Sequence, residues 1–301
     1  YGGKDPAGVL KFDAGWPSDV PAQITDGLSA MAVDDPLSAK LGEIWIRQKG
    51  WQATDSLEAP PWMSKKEQYW KKERIEPALL LIAGIRKQRA IWSGEEDIIG
   101  LSGRNILIFL SICQLIWENG LKASDSLDGL PEIPIRHSIQ SIGIVQAGKY
   151  WLEKLPFEYG RSRDRYRFIQ HTGEMFRRLI VNDKKLSNPG HYGFSLDYNE
   201  FIGNETVHRF LIELADFGNL TMSEHTTKNK NGKRRMKFHL NPIYCPIYRI
   251  PYQRTKEPKY VKCGDVETWM VDCGILDSTS SGKRTASVAH SPTPLFDDLE
   301  G

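Results

Sequence analysis

Between about residues 165 and 241 the sequence prescribes an order of elements that few small folds accommodate. Asn188-Pro189-Gly190 makes a turn, since proline locks the backbone and glycine frees it where a helix cannot continue. Gly193-Phe194-Ser195-Leu196 follows as a short strand. Asp197 is placed to cap a short helix reaching Ile202, its carboxylate accepting first-turn amides. After the Gly203-Asn204 turn, Asn204 caps a second helix with Val207, Phe210, Leu211 and Leu214 on one face. Gly218 stops that helix. Asn219 to His225 reads as a strand with Leu220 and Met222 pointing one way. The loop Thr226–Lys233 contains the hairpin-favouring Asn231-Gly232, and the return strand alternates Met236, Phe238 and Leu240.

With a helix predicted near 164–182 ahead of it, the order is helix, strand, helix, turn, helix, hairpin, which is that of a winged helix. Upstream, helical signals dominate. One helix is expected over Leu37–Lys49, before Pro60-Pro61 breaks the chain. Another runs from Ser64 to about Trp92 with a weak point at Pro77. A third begins near Gly103-Arg104-Asn105. Its Ile106, Phe109, Leu110, Cys113, Ile116 and Trp117 fall at helical spacing, and Leu107, Ile108 and Ile112 cover other faces. That helix is expected to be buried nearly all round and to stop at Gly120. Residues 123–135 form a linker, and a further helix lies near 138–153.

The expected fold class is therefore mainly α: a helical bundle followed by a winged helix, α+β with a small antiparallel hairpin. Residues 1–63 have no clear structural signal. The helical region covers 64–150, the winged-helix module 151–262, and a largely disordered tail 263–301. Near the end of that tail, Pro294-Leu295-Phe296-Asp297-Asp298-Leu299-Glu300 reads as a solvated terminus or a short docking peptide.

Charge is unevenly distributed. The chain is +2 overall, but Trp151 to Lys262 carries 21 Lys and Arg against 12 Asp and Glu, a net of +9, leaving −7 for the rest. Such asymmetry suits a module facing a polyanion. One basic cluster, on the hairpin loop and return strand, holds Lys228, Lys230, Lys233, Arg234, Arg235 and Lys237. A second, at the start of the first module helix, holds Arg161, Arg163, Arg165 and Arg167. Lysines on a loop can reach phosphates and release counterions. The helix expected over 204–217 argues against groove reading. It carries Glu205, Glu213 and Asp216 against Arg209 and His208, where base-reading helices present Arg, Lys, Asn or Gln. DNA contact is thus expected through the wing, with little sequence specificity, and a protein-docking role is the alternative.

Catalytic patterns are sparse. The sequence has no G-x-x-x-x-G-K-[ST] loop, and Gly282-Lys283-Arg284 lacks its upstream glycine and hydroxyl residue. The histidines make no HExxH or HxH, and Glu95-Glu96-Asp97 reads as a solvated cluster near a helix start. Nothing favours a self-contained hydrolase. The four cysteines form no CxxC pair, and Cys113 reads as a core thiol. The apolar run Ile106–Trp117 is too short to span a bilayer. Free thiols and no visible leader suggest a cytoplasmic protein that does not contact membranes.

Leu101-Ser102-Gly103-Arg104-Asn105-Ile106, leading into Phe109-Leu110, resembles the last lid helix of AAA ATPases of the origin-recognition-like clade. Many such proteins are bacterial, some encoded in phage-defence neighbourhoods. Asn188 to Leu196, Arg234 to Pro242 and Arg254-Thr255-Lys256-Glu257-Pro258 are similar to the ends of those proteins. The resemblance spans about residues 65–262. It implies a helical lid before a C-terminal winged helix, ATP and Mg²⁺ as cofactors, and duplex DNA as partner, with a homo-oligomer or a docked protein as further expected partners. The family's phosphate-binding residues would lie upstream of Tyr1, so this chain alone is not expected to hydrolyse ATP. The family's lid helix usually offers an Arg to the nucleotide a few residues after the Gly. Leu107 stands there in this sequence, and Arg104, one turn earlier, is the candidate sensor.

Overall fold

A computed structural model of the chain describes residues 20–52, 55–85, 91–124, 130–188, 190, 192–226 and 234–277. It is mainly helical, with one small sheet. The N-terminal segment is more ordered than its sequence suggests. α1 (Ala22–Asp34) pairs with α2 (Pro36–Lys49), and Asp35 caps α2 by accepting from the Ser38 amide at 2.9 Å. α3 (Gln68–Ile85) runs through Pro77 and is shorter than expected. Trp92 is not helical, and its buried ring packs in the core. α4 (Glu95–Leu101) carries the acidic triplet in its first turn, where amide dipoles favour negative charge.

α5 (Ile106–Lys122) starts at Asn105, whose side chain accepts from the Leu107 amide at 2.9 Å. It departs from expectation twice. Ile108, Ile112, Ile116 and Gly120 are buried, but Ile106, Leu107 and Leu110 are 65%, 60% and 53% exposed, so the helix is one-sided. Gly120 does not stop it. It is an interior helical residue where an added Cβ would lie 3.0 Å from Pro131 Cβ. α6 (His137–Lys154) packs closely on α5, with Gly143 lying against the Ile116 backbone. Cys113 is half-buried rather than a core thiol.

The C-terminal part follows the predicted order: α7 (Ser162–Asn182), β1 (Gly193–Asp197), α8 (Tyr198–Gly203), α9 (Glu205–Asp216), β2 (Leu220–Thr226) and β3 (Arg234–Leu240). Asp197 accepts from the Asn199 amide at 3.0 Å, and Asn204 from the Val207 amide at 3.0 Å. α10 (Cys245–Tyr248), β4 (Lys259–Tyr260) and α11 (Cys263–Asp272) then complete the region. The sheet order is β2-β3-β1-β4. β4 lies parallel to β1, so the sheet is mixed and larger than the expected hairpin. α11 occupies residues assigned to a disordered tail. Its Trp269 meets Phe194 edge-on at 5.3 Å, and Phe194 stacks on Phe238 at 5.2 Å. That aromatic burial draws the segment into the core. The docking-peptide candidate at 294–300 lies outside the described residues.

The helical and winged-helix-like parts share one core. An added Cβ at Gly148 of α6 would lie 2.7 Å from the Ile243 carbonyl oxygen, and one at Gly173 of α7 would meet the Tyr248 ring. Residues 249–258 form a strap across the sheet. Tyr252 Oη donates to Asp97 Oδ1 at 2.7 Å, and Lys256 Nζ pairs with Glu73 at 3.0 Å. No described helix is long and apolar enough to cross a membrane.

Candidate functional site

The alternation of β3 decides where its basic residues go. Met236, Phe238 and Leu240 point into the core, so Arg235, Lys237 and His239 share the opposite face, with Lys237 and His239 beside the strap. Arg235 donates to Ser195 Oγ at 3.0 Å and to the Ser195 carbonyl at 2.6 Å, with its guanidinium 4.3 Å from the Tyr260 ring. Lys237 Nζ lies 2.7 Å from Glu257. Arg234 pairs with Glu224 at 2.6 Å and lies 4.0 Å from the Tyr198 ring. The Arg234–Glu224 pair is about half exposed, so solvent screens it and a phosphate can compete for the arginine. Lys228, Lys230 and Lys233 lie outside the described residues.

The α7 cluster divides by helix face. Arg165 is wholly buried, although the sequence groups it with the arginines expected to contact DNA. It donates to Asn219 Oδ1 at 2.7 Å and to the Tyr159 carbonyl at 2.6 Å, and packs 3.7 Å from the Phe217 ring. Its guanidinium is engaged internally and is not available to a phosphate. The sequence contained this signal: Arg165 shares a helical face with Phe168, Ile169 and Thr172, all buried. Arg161 lies 2.7 Å from Glu213, while Arg163 is exposed. Arg167 faces Asp164 at 3.9 Å.

These contacts also alter the charge of α9. Burial alone would raise the Glu213 carboxyl. Hydrogen bonds from the Arg161 amide and guanidinium, with the charges of Arg161 and Arg165, instead hold it below the usual carboxylate range. Glu205 lies 3.6 Å from Arg209. The helix therefore presents less negative charge than its sequence indicates.

Two features had no sequence signal. Phe157 and Tyr159 project 88% and 89% exposed from the turn before Arg161. No periodicity marks them, since they sit in the 3-10 turn and loop between α6 and α7. Arg104 and Arg254 also come into one electrostatic neighbourhood. Burial lowers the Arg254 pKa, and the Arg104 charge contributes in the same direction. Arg104 is exposed and holds a left-handed backbone, φ 66°, in the turn entering α5. That turn packs on Asn241 and Pro242, next to the winged-helix-like part. Leu107 lies on the exposed face of α5. Among the described residues, no group of three His, Cys, Asp or Glu is placed to hold a metal ion.

A protein-family model described as ORC-CDC6-like matches residues 45–259, more than two thirds of the chain. No curated protein and no solved structure matches it.

Proposed function

The chain belongs to the ORC-CDC6-like family, and from that premise we propose that it is the lid and winged-helix part of an ATP-dependent switch protein that rests on duplex DNA. The observation that carries the DNA contact is the sequence between β2 and β3, which holds Lys228, Lys230 and Lys233 within a few residues and no carboxylate. Arg163, exposed at the start of α7, adds a further cation. Contacts of this kind neutralise backbone phosphates and read no base edges, so affinity is electrostatic and weakly sequence-dependent.

ATP and Mg²⁺ enter this reading through the family. The sequence holds no phosphate loop, and Arg104 is the residue of the lid helix start that is proposed to face a nucleotide. A bound nucleotide would supply anionic phosphates whose number changes on hydrolysis. Arg104, exposed where the turn before α5 packs on Asn241 and Pro242, would transmit that change towards the winged-helix-like part.

The test is duplex affinity measured across a salt series. The log of the association constant should fall linearly with the log of salt concentration. Affinity that stays level between low and physiological salt would sink the phosphate-contact reading.

A second reading, a protein-docking adaptor, is favoured by the outward apolar face of α5 and by exposed Phe157 and Tyr159. Replacing Lys228, Lys230, Lys233, Arg234 and Arg235 with Gln separates the two. DNA binding should collapse under the first reading, and partner binding should survive under the second.

A further inference from the structure

A half-open cleft of about 370 Å³ lies between β3, the strap and the start of α3. Its lining includes Glu73, Lys237, His239, Arg254 and Lys256. Both carboxylates at the cleft are already paired, Glu73 with Lys256 at 3.0 Å and Glu257 with Lys237 at 2.7 Å. Arg254 has no carboxylate partner among the described residues. Its Nη2 donates to Thr221 Oγ1 at 2.6 Å. Three cations against two carboxylates leave the cleft positive, and Arg104 nearby adds to that potential. A metal cation would be repelled there.

His239 supplies the second, independent observation. The residue is 5% exposed, and its Nδ1 has no hydrogen-bond partner. Tyr192 stacks on the ring at 5.5 Å, and Gly193 lies against the Cδ2 edge. Because Cδ2 and Nδ1 flank Cγ on opposite sides, Nδ1 is turned away from Gly193 and β1. On that other side of β3 lies β2, whose Thr221 pairs with His239 and holds Arg254. A buried polar atom without a partner is costly, and an N–H at Nδ1 beside a guanidinium forms a donor pair for one oxyanion.

We propose that this cleft is a phosphate-binding site, with Arg254 and His239 Nδ1–H donating to the phosphate oxygens and Lys237 and Lys256 adding charge. The phosphate belongs either to a DNA backbone or to a free nucleotide, since both present the same oxygens. The site stands independently of the wing loop. The variant with Lys228, Lys230 and Lys233 all changed to Gln should keep it intact, which separates failure of one proposal from failure of the other.

The test is titration of the full chain with inorganic phosphate, followed by calorimetry and by the side-chain nitrogen resonances of His239. The His239 Nδ1 signal should shift on binding, and Arg254→Gln should weaken binding about tenfold, as expected for loss of a charge-assisted contact. An unmoved His239 signal, or unchanged affinity in Arg254→Gln, overturns the proposal. If Arg254→Gln fails to fold, Arg254→Lys decides the matter. It keeps the charge without the planar fork, so wild-type affinity there also overturns the site. Competition then identifies the source. Displacement by a short blunt duplex assigns a backbone phosphate, and displacement by ATP a nucleotide. Displacement by neither means an adventitious ion only, and the proposal falls.

Discussion

The carboxylate of Glu76, on α3, accepts hydrogen bonds from the backbone amides of Tyr252 and Gln253, at 3.0 and 3.1 Å. One acid thus anchors the strap over the sheet, holding Arg254 and Lys256 at the cleft. It is also half-buried, which makes that anchorage sensitive to pH.

Burial pushes the Glu76 carboxyl up to about 7, against the lowering effect of those two amide hydrogen bonds. Between the ordinary value of 4.5 and about 7, the folded state holds a proton that the unfolded state has released. Stability from this group is therefore complete below about 4.5 and is lost as pH rises through 7, a loss on the order of 3 kcal/mol. Melting temperatures of wild type and Glu76→Gln, compared from acid to mildly alkaline pH, should show the wild type declining more steeply. Parallel curves would refute the assignment.

His239 acts in the opposite direction. Burial, then the charges of Arg254 and Lys237, push its imidazole down to about 3. The folded state excludes a proton that the unfolded state takes up below its usual pKa of about 6.5, so this contribution is present above 6.5 and is lost as pH falls towards 3. His239→Gln should flatten the acid limb of the stability curve and leave the limb above neutrality unchanged. Denaturant midpoints at successive pH values would read both limbs.

Arg165→Ala should destabilise the fold by about 3–5 kcal/mol, since it removes a buried cation and strands its acceptors. Arg163→Ala, on the exposed side of the same helix, should change stability by less than about 0.5 kcal/mol. Chemical denaturation of the two variants checks this pair. A mild effect at Arg165 would contradict its internal role.

Changing Lys228, Lys230 and Lys233 together to Gln should leave the melting temperature unchanged. It should reduce the salt slope of duplex binding by about 2.7, at about 0.9 for each phosphate no longer neutralised. Fluorescence anisotropy over a salt series measures that slope. An unaltered slope would place the DNA contact elsewhere.

The sequence alone determined the elements whose signals are local. The caps at Asp197 and Asn204 follow from a short polar side chain reaching the next free amides. The burial of Val207, Phe210, Leu211 and Leu214 follows from helical period, and that of Met236, Phe238 and Leu240 from strand period. Tertiary structure decided what depends on distant partners. Strand period puts Arg235, Lys237 and His239 on one face, but only the pairing of β1 and β4 gives Arg235 its neighbours Ser195 and Tyr260, and only the strap gives Lys237 its partner Glu257. Arg161 and Glu213 are far apart in sequence, and neither segment records that their charges cancel. β4 and α11 joined the fold because Phe194 and Trp269 bury each other, a contact absent from the local pattern of either segment. The same physics places Arg254 beside His239. Periodicity is a property of one segment, whereas the partner of a charge is a property of the whole packed chain.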